Sequence, residues 1–404
     1  MFNAYFKSFQ GLPGILWHRV IIYMINTISG GLSFYLAFYF VQDLHIAWVM
    51  AGFLVSCYGI GTVLGGLLGG WLADRFHPDF SGIAALVIKT LLFLLLLVCK
   101  VPWALIPIMF LFGLCTYVFK AVNNVVLLRG VGPDPSLRLK IISVMYAGMN
   151  FGLAISAVIV MIFFHFGFQW LFILSALLMG VSCVYLFCRM RLDTMTSATL
   201  IEIPLHPKTH HTQSSLLIVS VALGFIFLSG LIFAQLSAAF PIYLHQSFPR
   251  MGLSAATILF ILNSFIIVIA QVPLTHAFRK MNPLLTLGLG ACLLGVGFGL
   301  MVFTFSYAMM IASCVVATIG EMLAMSVSQL LVFDYASSKH QGQMQGFYQA
   351  AYATGCVIGP TLGMWIYHTL GGKAIWNGCS VIGVVYLCVM LGVWRRKKYM
   401  PQKK

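Results

Sequence analysis

What this sequence has least of is charge. Asp, Glu, Lys and Arg make up 8% of its 404 residues, against about 25% in soluble domains, and only eight residues are acidic. With 61% hydrophobic residues and a mean hydropathy of +0.99, water is excluded as its main solvent. No Gly-x4-Gly-Lys-Ser/Thr loop is present, which excludes direct ATP drive. Neither His-Glu-x-x-His nor a Gly-x-Ser-x-Gly elbow occurs, so an intramembrane enzyme would lack its catalytic constellation. The histidines, His210, His211 and His276 among them, fall chiefly in loops or at span ends, and neither a metal nor a cofactor is expected. The ten cysteines, such as Cys57, Cys115, Cys183 and Cys314, lack ligand or disulfide-like spacing and read as packing residues.

What is present is a series of long apolar runs. About 20 apolar helical residues cross a hydrocarbon core, and a backbone in lipid must satisfy its own hydrogen bonds, so such runs mean helices. Runs between polar or Pro/Gly punctuation predict twelve spans: 17–41, 48–73, 81–99, 102–128, 141–164, 169–189, 215–244, 254–277, 284–305, 307–333, 343–368 and 375–394. The first is too long for a signal-peptide h-region and lacks a small-residue cleavage pattern, so it reads as span 1. An all-α membrane protein of two six-helix repeats is expected. Its halves are 1–190 and 215–404, joined by a polar linker over 191–214 that contains two prolines.

The net charge of +15 would suit nucleic acid, but its distribution points elsewhere. With the N-terminus in the cytoplasm, inner loops and tails hold 18 of the 23 Lys and Arg, including Arg129, Arg138, Lys140, Arg279, Lys280 and the tail Arg395-Arg396-Lys397-Lys398. That bias predicts cytoplasmic termini and an inner (plasma) membrane location, with the lipid bilayer as partner and no nucleic acid. The chain is expected to act as a monomer.

Internal repetition supports the division into halves. Leu32-Ser33, Tyr39 and Gln42 recur as Leu236-Ser237, Tyr243 and Gln246, and Gly152-x3-Ser156 recurs as Gly355-x3-Gly359. Parallel repeats of this kind place a substrate site near the membrane midplane, between the halves. Small residues at four-residue spacing, Gly61-Gly65-Gly69 and Gly148-Gly152-Ser156, predict close helix contact.

The loop after span 2, Gly70-Trp71-Leu72-Ala73-Asp74-Arg75-Phe76, resembles the first part of the major facilitator superfamily signature, although His77, Pro78 and Asp79 depart from its second part. The resemblance implies that Asp74, with Arg75 beside it, engages the other half near the start of span 11 and helps hold the cytoplasmic side shut. Solvated loop charges are the alternative. Gly320-Glu321 followed by Gly342-Gln343-Met344-Gln345-Gly346 resembles the drug/proton antiporter branch. Phe119-Lys120 and Tyr146-x3-Asn150-x-Gly152 are similar to proton-coupled peptide transporters, but Glu-x-x-Glu-Arg is missing from span 1.

Seven of the acids lie in loops or at span ends, and Glu321 alone is deep within a span. An intramembrane carboxyl is costly and a functional candidate by default. Removal from water disfavours its charged form and a nearby cation favours it, so a carboxyl that gains and loses such a partner can take up and release a proton. Glu321 is therefore the expected proton-coupling site. Lys120 of span 4, offset by 201 residues, is its expected counter-ion or a carboxylate-binding cation; a fixed salt bridge pinning the halves is the alternative. Asn26, Asn123, Asn124, Gln235 and Asn263 are candidate ligand-orienting groups, with interhelical hydrogen bonding as their competing use. Lys89 of span 3 is expected to snorkel toward the cytoplasmic surface.

These features predict a proton-coupled secondary transporter of a small organic solute, working by alternating access. The single deep acid and the missing span 1 signature tilt the expectation toward efflux of a drug-like compound or a secreted metabolite such as a siderophore. Import of an amino acid, short peptide or other carboxylate is the alternative. A non-transporting membrane sensor or an intramembrane enzyme is the rival of another class.

Overall fold

The computed structural model describes residues 10–163, 166–196, 213–236, 238–247, 252–303 and 306–399. Among these, fourteen α-helices and no strand occur, and they form the twelve transmembrane spans of two six-helix repeats. Spans 2 to 6 are single helices: Trp48–Arg75, Pro78–Val98, Pro102–Gly130, Pro135–Phe163 and Phe168–Thr196. Spans 8 to 12 are Gly252–Phe278, Pro283–Gly299, Tyr307–Asp334, Gln341–Leu370 and Gly372–Tyr399. Proline begins spans 3, 4 and 9, where its missing N–H costs nothing. Asn282 caps span 9 and Ser306 caps span 10, each side chain accepting an otherwise orphaned amide. The expected linker falls largely on residues 197–212, outside the described residues, as does Glu202.

Spans 1 and 7 differ from the continuous helices expected of them. Span 1 runs as Gly14–Gly31, a 3₁₀ turn at Leu32–Tyr35, then Leu36–Gln42. Span 7 runs as Gln213–Ala234 and Ala239–Ser247, and at the break the amides of Gln235 and Leu236 bond only three residues back. The first break holds Leu32 and the second its repeat counterpart Leu236, so the motif that revealed the repeat also marks where its first helix is interrupted.

The repeat extends to contacts. Tyr39 donates to the carbonyl of Leu96 at 3.4 Å and packs edge-on against Phe172. Its counterpart Tyr243 donates to Met301 at 3.0 Å and packs edge-on against Trp376. Within the first half span 3 packs on spans 4 and 6, and span 1 on span 5; in the second, span 9 packs on spans 10 and 12, and span 7 on span 11. The halves meet along spans 2 and 11 and along spans 5 and 8, two pairings that exchange under the same pseudo-twofold.

Among the described residues ten helices are long and apolar enough, by length and composition, to cross a membrane. Spans 1 and 11 are the others: the first is broken, and the second carries Gln345 and Gln349, both buried inside the protein. Large apolar side chains such as Leu91, Phe265, Val381 and Val385 point outward, as surfaces solvated by acyl chains require. The face where span 1 begins and span 12 ends is called the terminal face below, and its opposite the far face.

Candidate functional site

Glu321 sits halfway along span 10 and is 5% exposed. Its two oxygens are held by donors from different spans. The Tyr146 hydroxyl of span 5 donates to Oε1 at 2.5 Å, and the Asn263 amide of span 8 donates to Oε2 at 2.9 Å. Asn263 also donates to Thr318 at 3.0 Å, and Thr318 donates to the carbonyl of Cys314, one turn back. The carboxyl is thus held by neutral donors, one of them from the other half of the molecule. No lysine, arginine or histidine nitrogen lies within 4.0 Å of it among the described residues.

Above Glu321 an open cleft, with about 530 Å³ of empty space when its mouth is counted, lies among spans 7 to 10. Phe233, Phe240, Phe260 and Phe298 supply its apolar wall, and Asn263, Thr318 and Glu321 its polar floor. The wall residues belong to the portions of their spans nearer the far face. Such a pocket suits an apolar body with one group able to bond at the floor.

Lys120 is not paired with Glu321. Its ammonium lies over the Tyr117 ring, 5.0 Å from the centroid, with no hydrogen bond or ion pair among the described residues. Span 11 passes near both charges. Tyr348, Tyr352 and Cys356, at four-residue spacing, share one face of it. Tyr352 is close enough to Glu321 to feel its charge, and Cys356 interacts with both Tyr352 and Lys120. Sequence reasoning missed Tyr146, Tyr352 and Cys356 as site residues, although the four-residue spacing of the last two was there to be read.

The amide candidates divide. Asn263 joins Glu321, as described. Asn26 accepts a 2.6 Å hydrogen bond from Lys89. Gln235, at the break in span 7, donates to Leu231 and to Gly359 of span 11 at 2.7 Å, which ties the break to its neighbour. Asn123 and Asn124 are buried, and both amide atoms of Asn123 and the carbonyl oxygen of Asn124 lack a protein partner. The expectation for Lys89 is corrected: it does not snorkel, but lies midway along span 3 and is fully buried. Asn26 and Phe112 enclose its amine, and a route to the membrane surface is closed by packing on spans 4 and 6.

At the terminal face the halves are latched. Asp74, at the end of span 2, accepts the backbone amides of Gly342 and Gln343 at the start of span 11, both at 2.8 Å. A carboxylate at a helix N-terminus satisfies orphan donors and is favoured by the helix dipole. Arg129, at the end of span 4, bonds Asp74 at 2.7 Å and reaches Gln341 at 3.4 Å. On the other side of the pseudo-axis Arg138 of span 5 pairs with Asp334 of span 10 at 2.5 Å. Between them Ser143 and Thr275 share a buried 2.8 Å hydrogen bond from span 5 to span 8. Arg75 takes no part in this latch; its guanidinium lies over the ring of Trp71.

Glycines let spans 2 and 11 come this close. A Cβ on Gly70 would stand 2.7 Å from the Cα of Gly346, and one on Gly346 would meet the backbone of Gly66 and Gly70. Gly65 and Gly69, one position earlier on the helix, turn to span 4 instead.

Comparison with known proteins gives a consistent set of relatives. The model of the Major Facilitator Superfamily matches residues 19–356 and 253–404. An uncharacterised MFS-type transporter, YqjV of Bacillus subtilis (strain 168), is 21% identical over 396 residues, covering 94% of each chain. A Na(+), Li(+), K(+)/H(+) antiporter of Planococcus maritimus is 22% identical over 407 residues, covering 90% of this chain and 94% of its own. Among solved structures, the human organic anion transporter MFSD10 (TETRAN) superposes with a TM-score of 0.73 at 12% identity, over 94% of this chain and 100% of that one. A POT family transporter in complex with 5-aminolevulinic acid does so with a TM-score of 0.71 at 17% identity, over 97% and 98%.

Proposed function

The chain belongs to the Major Facilitator Superfamily, and on that premise we propose that it is a proton-coupled secondary transporter that exports a small, largely apolar organic solute by alternating access. The observation that carries the coupling is the placement of Glu321. It is the one acid deep in a span, and its carboxyl is held by Tyr146 of the first half and Asn263 of the second. Protonation makes one carboxyl oxygen a donor, so Tyr146 and Asn263 can no longer both donate to an anion. Gain or loss of the proton thereby alters a bond between the halves. The relative named as a cation/proton antiporter lends support to exchange against protons.

In this reading the terminal face is cytoplasmic, the protein lies in the inner (plasma) membrane, and it works as a monomer. Halves 1–190 and 215–404, joined by the linker 191–214, rock about the site. Asp74, with Arg129, locks the cytoplasmic side in the conformation described, while the aromatic pocket above Glu321 faces outward. The apolar walls of that pocket favour a drug-like compound or lipophilic metabolite as cargo. Asn123, Asn124 and Gln235 supply polar contacts along the path.

One observation favours a second reading, import of a carboxylate or zwitterion: Lys120 is a cation at mid-span with no carboxylate on it. A deletion strain scored for toxin sensitivity and for growth on organic acids separates the two. The coupling itself is tested in proteoliposomes with the solute so found. Glu321→Gln should abolish accumulation driven by a pH gradient yet retain exchange of labelled for unlabelled solute, and undiminished gradient-driven accumulation would overturn the proposal.

A further inference from the structure

Lys89 lies outside the site built around Glu321. It stands at the middle of span 3 and is 0% exposed. Its amine makes one hydrogen bond, to the Asn26 carbonyl oxygen of span 1 at 2.6 Å, and lies 5.5 Å from the centroid of the Phe112 ring. The charged or titratable groups whose fields reach it are both on span 4: the Cys115 thiol and the Lys120 ammonium. Span 1 presents the neutral Asn26 amide. Among the described residues no carboxylate pairs with it, and the acids of the first half, Asp43, Asp74, Asp79, Asp134 and Asp193, fall at span ends or in loops.

An ammonium has three protons to donate and no lone pair. A single neutral acceptor and a neighbouring cation are a poor setting for it, and the Phe112 ring face offsets only part of the cost of a buried charge without an ionic partner. The same setting is less costly for a neutral amine, which carries no charge and has two N–H groups and a lone pair, one N–H being taken by Asn26. A lysine kept solely for packing would be better replaced by Met or Leu. Asn26 sits nearly two turns before the break in span 1, and at the last residue before that break a Cβ on Gly31 would collide with Ser156 of span 5, the span that also carries Tyr146. The acceptor of Lys89 therefore rides on the segment that must move if spans 1 and 5 shift against each other.

We propose that Lys89 is a second proton-binding site, located in the first half. It is a neutral amine in the conformation latched at the terminal face, and it takes up one proton from water to become an ammonium when span 1 moves and water reaches it. The proposal rests on the alternating-access reading and does not depend on Glu321 being the coupling acid. The step balances as simple proton transfer, with no other reactant.

The test follows the terminal face directly and needs no cargo. With the exposed Cys188 and Cys388 replaced by serine, spin labels are placed through His77→Cys and Lys339→Cys, exposed positions on the two halves at that face, and the distance between them is measured in nanodiscs from pH 9 to pH 5, with the two-serine parent labelled alone as the background. The unmodified protein should open or close in two resolved pH steps. Lys89→Met should lose one of them and Glu321→Gln the other. Asn26→Leu, which removes the acceptor but keeps the amine, should move the Lys89 step by about one pH unit, equivalent to tenfold in proton affinity. A Lys89→Met protein with both steps unchanged overturns the proposal. So does a single-step response that Lys89→Met leaves in place. If Lys89→Met does not fold, an Asn26→Leu step that stays in place overturns it equally. Loss of a step in Lys89→Met alongside an unaltered Glu321→Gln would sink the Glu321 reading alone.

Discussion

Tyr146 and Glu321 are joined by a 2.5 Å hydrogen bond that crosses from the first half of the chain to the second. Hydrogen bonds to charged groups are worth roughly 1.5–3 kcal/mol. Tyr146→Phe removes the bond while keeping the ring, so it should loosen the association of spans 5 and 10. Gradient-driven transport should fall by about tenfold or more, since each 1.4 kcal/mol is a factor of ten. Counterflow measured without a gradient should fall less. Equal losses in both would assign Tyr146 to packing alone.

The latch at Asp74 gives a sharper expectation. Its carboxylate accepts two amides of span 11 and pairs with Arg129, and it is nearly buried. Asp74→Asn keeps the size but loses the charge that both the helix N-terminus and the guanidinium favour. The open form of the terminal face should gain roughly 10- to 100-fold in population, from an estimated 1.5–3 kcal/mol. A thiol reagent applied from the terminal side to a cysteine at Ser143 or Thr275 should then react correspondingly faster. An unchanged rate would remove Asp74 from the latch.

How much of this was legible in the sequence depended on whether a residue's partners were local. Glu321 stood out because scarcity of acid is a property of the whole chain, and the twelve spans because apolar run length is local. The breaks in spans 1 and 7 were half visible: Leu32 and Leu236 belong to a repeat the sequence shows, yet nothing in an apolar run states where its helix is interrupted. Tyr146 was out of reach as a partner of Glu321, since 175 residues separate them and only the pseudo-twofold docking of the halves brings them together. Lys89 was misjudged for a related reason. An apolar run containing one lysine reads alike whether the side chain escapes to the interface or is sealed by other spans.

Arg138 and Asp334 offer a test of the second latch that does not rest on loss of function alone. They pair at 2.5 Å with partial exposure, so the bond is worth about 1 kcal/mol or less. Arg138→Asp and Asp334→Arg should each open the terminal face several-fold by placing like charges opposite one another. The double exchange should restore closure, as read by the same thiol-reaction rate. Failure of the double exchange to recover would show that Arg138 acts through its contacts with Phe333 and Gly132 instead.

The packing of spans 2 and 11 can be tested through volume alone. Gly70 faces Gly342 and Gly346 so closely that an alanine methyl would stand 2.7 Å from the Cα of Gly346, with backbone on both sides and no flexible side chain to yield. Overpacking of this kind costs about 1–3 kcal/mol. Gly70→Ala should therefore force the two spans apart and favour the conformation open at the terminal face, while leaving the contacts within each half alone. Gly52→Ala, on the same span, meets open space and is the control. If Gly70→Ala lowers the thermal midpoint but leaves thiol access at the terminal face unchanged, the glycine contact holds the bundle together without taking part in the opening. If access rises several-fold with a modest loss of stability, close approach of spans 2 and 11 is itself part of the closed state.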